Sequence, residues 1–291
     1  MSVSKTTKAL TTLVFAAGLG LTVIHTGKPL AAGSANGDDH KISNPKLSLE
    51  SSADYGPGDK PELGEAGGVR GVNPADNLTK FELLPKFSMI DGDNDVTLST
   101  LTLKYDRAIK GKYGINLELP ISYFDSRFGD DFGVSDLNVR GRVQFRGGRW
   151  IYITGLETVF PIATADTLGS GKYQLNPTVV AVHAFSAQTF AAGIAKHLFS
   201  VAGDKDRDEI VQGQYRLLAA HTFTSGWWCL VDPQLWVDYH NDGRVQFSCD
   251  GEIGKMVGKT TGVWIHGGSR IAGDWHKEDW SISAGIRFVF F

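Results

Sequence analysis

The stretch Glu278–Phe291, E-D-W-S-I-S-A-G-I-R-F-V-F-F, constrains the fold more than any other. Trp280, Ile282, Ala284, Ile286, Phe288 and Phe290 fall on one side of an extended strand. Ser281, Ser283, Gly285 and Arg287 fall on the other. This is alternation at a period of two. A closing strand that shows apolar side chains to lipid and polar ones to a lumen has this pattern, and soluble domains seldom end on one.

The rest of the chain repeats the theme. From Phe81 onward, twelve strand-like runs are expected: 81–90, 96–108, 113–124, 134–146, 150–162, 173–186, 189–201, 210–224, 227–240, 245–257, 260–272 and 279–291. Each is long enough for a membrane strand of ~9–11 residues. Their connections alternate. One set is long or acidic: 91–95, 126–132, 163–172, 203–209, 241–244 and 273–278. The other is tight: K-G-K (110–112), G-G-R (147–149), A-Q (187–188), S-G (225–226) and G-K (258–259). Long outer loops and short periplasmic turns are the layout of an outer-membrane barrel. The expected fold is therefore all-β, an antiparallel transmembrane β-barrel of about 12 strands, over residues 77–291.

The final strand also resembles the C-terminal signature of outer-membrane barrels, which ends in Phe and is read by the barrel assembly machinery. Lys5 and Lys8, an apolar run from Ala9 to Ile24, and small residues at Ala31–Ala35 read as an export signal over 1–35. Residues 36–76 are rich in Gly, Pro, Asp and Ser, and read either as a periplasmic lead-in or as a plug in the barrel mouth. The outer membrane of a Gram-negative bacterium is the expected location. Its lipids and lipopolysaccharide are the expected surroundings. Aromatics beside the turns (Tyr113, Phe145, Trp150, Phe185, Phe190, Phe223, Trp227) and beside the loops (Tyr123, Phe124, Phe160, Tyr173, Phe199, Tyr239, Trp275, Trp280) suit two interfacial girdles. A net charge of −3 gives no basic face for nucleic acid.

The polar faces supply the lumen. Leu137, Val139, Gly141, Val143 and Phe145 are expected toward lipid, leaving Asn138, Arg140, Arg142 and Gln144 inside. The candidate binding residues that line the lumen are Arg140, Arg142, Arg216, Glu118, Asp232, Gln234 and Asp238. They either form a selective constriction or brace the interior as ion pairs. If His240 pairs with Val245, Cys229 faces Met256, too far from Cys249 for a disulfide.

Catalytic and metal motifs are weak. Asp91-Gly92-Asp93-Asn94-Asp95 begins like a calcium loop but lacks its later Gly and Glu. No His pair has metal-site spacing. His221 with Ser225, or His266 with Ser269, loosely imitates a lipid hydrolase. No catalytic residue, metal or cofactor is expected.

Three segments together resemble a known family. Gly133-Val-Ser-Asp136-Leu, Glu157-Thr-Val-Phe-Pro161-Ile-Ala-Thr-Ala-Asp166 and Gly169-Ser-Gly-Lys-Tyr-Gln-Leu-Asn-Pro177 are similar to the G-x-G-D-L, P-T-G-x-x-D and G-x-G-x-x-x-L-x-P motifs of the outer-membrane transporters named for the meta-cleavage pathway of phenol degradation. The second Gly of the first motif is replaced by Ser135, and Ala163-Thr164 stands for T-G in the second. Asn73-Pro74-Ala75 is similar to the N-P-A of the long-chain fatty acid and toluene transporters. These resemblances imply a non-enzymatic channel that passes small hydrophobic or aromatic molecules by passive diffusion. A barrel-wall enzyme acting on lipids and a plugged structural or adhesive barrel are the alternatives.

Overall fold

A computed structural model gives the architecture for residues 71–91, 95–275 and 277–290. The export signal, the segment up to residue 70, most of the 91–95 loop, His276 and Phe291 lie outside the described residues. The strands are β1 Thr79–Asp91, β2 Val96–Ile109, β3 Tyr113–Ser126, β4 Gly129–Val134, β5 Leu137–Gly147, β6 Trp150–Phe160, β7 Lys172–Ala184, β8 Thr189–Gly203, β9 Val211–Thr222, β10 Trp227–Asp238, β11 Arg244–Met256, β12 Thr261–Gly273 and β13 Trp280–Phe290.

Every neighbour is antiparallel, and β1 pairs with β13 from Thr79–Phe290 to Met89–Trp280, so the sheet closes on itself. Closure leaves no free edge to be satisfied in lipid. β4 and β5 both lie along β3, β4 on its loop-end half and β5 on its turn-end half. The register steps by one residue between Val134–Ile121 and Asn138–Glu118, a bulge at Ser135–Asp136. The wall is thus twelve strands wide, and the short extra strand is the outer part of a broken one. The 126–132 stretch, expected as a loop, is instead a hairpin turning at Arg127–Phe128.

Four strands carry a mid-strand proline, and pairing lapses beside each; Pro120 of β3 falls where its neighbour breaks between β4 and β5. The β1–β13 ladder skips from Leu83–Ile286 to Lys86–Ser283 at Pro85. The β7–β8 ladder skips at Pro177, and the β9–β10 ladder at Pro233. Proline has no N–H to give a neighbouring strand, so each ring weakens the wall locally.

The outer face is apolar over the whole circumference. Leu101, Ile115, Leu156, Val179, Leu217, Val231, Ile253, Ile265 and Ile282 are large and exposed. A contiguous apolar band of this extent needs an apolar medium. Tyr113, Phe145, Trp150, Phe185, Phe223 and Trp227 form the aromatic rim beside the turns, and Tyr123, Tyr173, Phe199 and Trp280 that beside the loops. Three aromatics leave the expected girdles, and Phe124 does so by sharing the inward face of β3 with Glu118 and Ser122, opposite Leu98. Phe190 falls on the inward face of β8 and is buried, and Trp275 packs edge-on against the lumen side chain Trp236.

The cysteine register also differs from expectation. A turn with positive φ at Asp242 and Gly243 pairs Asp238 with Arg244, so Cys229 faces Ile253 rather than Met256. Cys249 faces Pro233, and both thiols are free on the outer face.

Candidate functional site

The lumen divides by height. At the turn end its wall is apolar, which strict alternation of apolar-out and polar-in did not lead us to expect. Ile151, Ile153, Val180, Val182, Phe190, Ala192, Leu218 and Ala220 pack into one inward cluster. Trp228 and Trp264 form a second. Each indole lies over a glycine of the next strand: a Cβ on Gly254 would come within 2.2 Å of Trp228, and one on Gly285 within 2.2 Å of Trp264. Aromatic cover over glycine is a recurrent way to pin sheet register.

Residues 71–76 enter this apolar half as a compact loop. Gly71 N–H donates to Asp76 Oδ2 (2.8 Å), Ala75 N–H to Asn73 Oδ1 (2.9 Å) and Asp76 N–H to the Asn73 carbonyl (2.9 Å). Ala75 is 2 % exposed within the aliphatic cluster, and Val72 packs against both clusters. Burial pushes the Asp76 carboxyl up, against the pull of the Gly71 hydrogen bond. The segment Asn73-Pro74-Ala75 therefore sits inside the barrel.

Above it the wall is charged. Arg140 donates to Glu157 (2.9 Å from Nε), and Lys196 (2.5 Å) and Asn176 (3.1 Å) meet the other oxygen of the same carboxylate. Glu118 pairs with Lys104 at 2.8 Å and lies 4.0 Å from Arg140. A second network joins Arg142 to Asp106 (2.7 Å), Lys80 to Asp106 (3.8 Å) and to Glu82 (3.3 Å), and Arg287 to Glu82. A third joins Arg216 to Asp232 (3.0 Å from Nε) and Gln234 to Asp232 (3.3 Å), Asp250 (2.7 Å) and Gln214 (2.8 Å).

All seven candidate lumen residues lie on inward positions, but not as one group. Arg140 and Glu118 share the first network. Arg216, Asp232 and Gln234 share the third. Arg142 belongs to the second through Asp106. Asp238 sits at the loop end, where it accepts from Arg244 (3.0 Å) and Asn241 (2.8 Å) of its own hairpin. Sequence reasoning missed Lys104, Glu157 and Lys196, which complete the ion pairs of the first network. Glu157 was within reach, because the Gly147-Gly148-Arg149 turn sets it opposite Arg140.

Two loops pack at the loop end of the lumen. Asp136, at the β4–β5 bulge, accepts the N–H (2.7 Å) and hydroxyl (2.8 Å) of Ser170, and Thr164 N–H donates to the Val134 carbonyl (3.0 Å). The motif segments around Asp136 and Gly169 thus form one loop anchor. Between β12 and β13, Lys277 lies over the rings of Trp236 (4.2 Å) and Trp275 (5.1 Å), with Gln212 Oε1 at 3.4 Å. Burial, then the ammonium of Lys196, push Lys277 down to about 8.

The hydrolase-like pairs are not assembled. His221 meets Thr189 (2.8 Å) rather than Ser225. Ser269 bonds backbone carbonyls on the face of β12 opposite His266. His266 lies 3.4 Å from Ser283 and 3.6 Å from Asp250, longer than the ~2.6–3.2 Å reach of a working nucleophile and base. Among the described residues no group of three or more His, Cys, Asp or Glu is placed to hold a metal ion.

This is a closed antiparallel β-barrel, the fold of outer-membrane barrel proteins. An outer membrane channel from Pseudomonas putida F1 is similar to it, with a TM-score of 0.64 at 13 % identity, covering 75 % of this chain and 100 % of that one. The NanC porin is similar at a TM-score of 0.54 and 10 % identity, covering 72 % and 98 %. No protein-family model matches the sequence, and no curated protein does.

Proposed function

We propose that the chain is an outer-membrane channel passing small hydrophobic or aromatic solutes by passive diffusion. One observation carries the substrate class: much of the turn-end lumen wall is aliphatic and aromatic. A water-filled pore has no use for such a wall, because it presents apolar surface to water; a pore for apolar solutes does. Support for a channel comes from the similar barrels, an outer membrane channel and a porin. The resemblance of 133–177 to the phenol-pathway transporters agrees in solute class. In this reading a solute is captured among the loops, passes the charged layer along the cavity edges and meets the 71–76 loop, which must shift before it leaves.

The test is uptake of a neutral aromatic such as toluene by cells with and without the chain, set beside conductance of the purified protein in planar bilayers. Uptake that falls on deletion supports the reading. Unchanged uptake with no conductance would instead leave a plugged structural barrel.

A further inference from the structure

The cavity above the 71–76 loop, about 400 Å³ in volume, has two unlike walls. One is apolar: Val72, Leu84, Ile153, Val180, Ile194 and Leu218. The other is built from the two ion-pair networks. Each network holds three cations and two carboxylates: Lys104, Arg140 and Lys196 against Glu118 and Glu157, then Lys80, Arg142 and Arg287 against Glu82 and Asp106. Each therefore carries one positive charge in surplus. Asp76 of the loop faces Lys80 and Arg287 and offsets the surplus of the second network. The surplus of the first has no such counterpart within its own pairs; the remaining carboxylate on the cavity wall, Glu252, accepts from Trp228 Nε1 (2.6 Å) and belongs to neither network.

Asn116 lies between the two networks, flanked in register by Asp106 and Arg140. It is 1 % exposed, and both polar atoms of its side chain lack a hydrogen-bond partner among the described residues. Thr178 Oγ1, beside Lys196 in register, is likewise unpartnered. Both side chains line this cavity. A buried amide and hydroxyl without partners cost free energy, roughly 1–3 kcal/mol each by typical values, unless something completes them.

From this juxtaposition we infer that the cavity binds a small amphipathic monoanion, an aromatic or branched aliphatic carboxylate. Its carboxylate lies toward Arg140, Lys196, Asn116 and Thr178. Its apolar body lies on Ile153, Val180, Ile194 and Leu218. A carboxylate is acceptor-only and matches the amide N–H, the hydroxyl and the cations at once. The inference rests on the proposed channel for small hydrophobic solutes and adds a charged head to them.

The test is calorimetric titration of the full folded chain in detergent with benzoate, and with toluene and benzylamine as neutral and cationic counterparts of the same shape. Benzoate is expected to bind roughly ten-fold or more tightly than either, the value of one charge-assisted hydrogen bond. Thr178→Val keeps the shape of the wall and is expected to weaken benzoate roughly ten-fold while leaving toluene unchanged. Asn116→Leu is expected to do the same, and Thr178→Val guards against misfolding of that variant. Equal affinity for benzoate and toluene overturns the inference, as does a benzoate preference that both variants retain. Toluene uptake by cells, measured in parallel, separates the two readings. If it persists without a benzoate preference, the anion site falls and the channel stands. If it is absent, the channel falls.

Discussion

On β6 the inward side chains run Ile151, Ile153, then Glu157; on β8 they run Phe190, Ala192, Ile194, then Lys196. One strand crosses from an aliphatic lumen to a charged one within four to six residues. The two halves are held in different ways. In the turn-end half, packing against residues 71–76 depends on volume, and neighbours can partly adjust to a change. In the charged half each group depends on named partners, so losing one leaves the others uncompensated.

The sharpest way to break this contrast is to remove one hub from each half. Glu157→Leu leaves Arg140, Lys196 and the Asn176 amide without their shared carboxylate. A loss of about 3–5 kcal/mol is expected, as for one partner of a buried ion pair. Val182→Ala, at a fully buried site of the aliphatic cluster, is expected to cost about 2 kcal/mol. Urea midpoints of the detergent-folded barrel, read by heat-modifiable migration on gels, give both. Equal costs would mean that the charged layer is solvated and braces little.

The second perturbation puts a charge into the dry half. Ala75→Asp places a carboxylate among Ile151, Val182 and Leu218, at a cost of several kcal/mol without a partner. Among the described residues the hydrogen bonds of the 71–76 loop are short-range ones within its own segment, and its electrostatic link to the wall is the Asp76 carboxylate facing Lys80 and Arg287. The loop is therefore expected to leave the lumen while the barrel stays closed. Single-channel conductance should rise, with no change in the folded band on gels. Unchanged conductance would show that this loop does not limit passage.

Strand positions were legible because tight turns and period-two alternation constrain one another. Tyr113–Ser126 was expected as 113–124, and Arg244–Met256 as 245–257. The β3–β4 hairpin was not, because Ser126–Phe132 mixes Gly and Asp with Phe128 and Phe132, both exposed, and shows no buried face to read. The aliphatic lumen was hidden for a related reason. In Trp150-Ile151-Tyr152-Ile153 both faces are apolar, so alternation cannot say which one points inward. The inward side of Arg140 and Arg142 was legible from their own strand. Lys196 was not linked to Glu157, since its strand lies two away and the contact passes over Asn176.

The finest test of the two-halves picture lies at the mouth, where Lys277 is a cation held in partly apolar surroundings. Its ammonium contacts Trp236 and Trp275 and one amide oxygen, and it has no carboxylate within salt-bridge distance among the described residues. Its folded value of about 8 lies below the ordinary lysine value of ~10.4. Below pH 8 the residue is charged in both states, and the folded state bears the full cost of burying it. Between pH 8 and about 10.4 the folded barrel carries it neutral while the unfolded chain still binds the proton, so stability rises with pH over that window. Lys277→Met removes this dependence. The stability of wild type minus that of Lys277→Met, followed by thermal melts from pH 7 to 10, is expected to climb above pH 8. The subtraction cancels other lysines and tyrosines that titrate in both proteins. A difference that falls over this range would mean that the two indoles stabilise the ammonium by more than burial penalises it, and that the mouth belongs with the charged half rather than the apolar one.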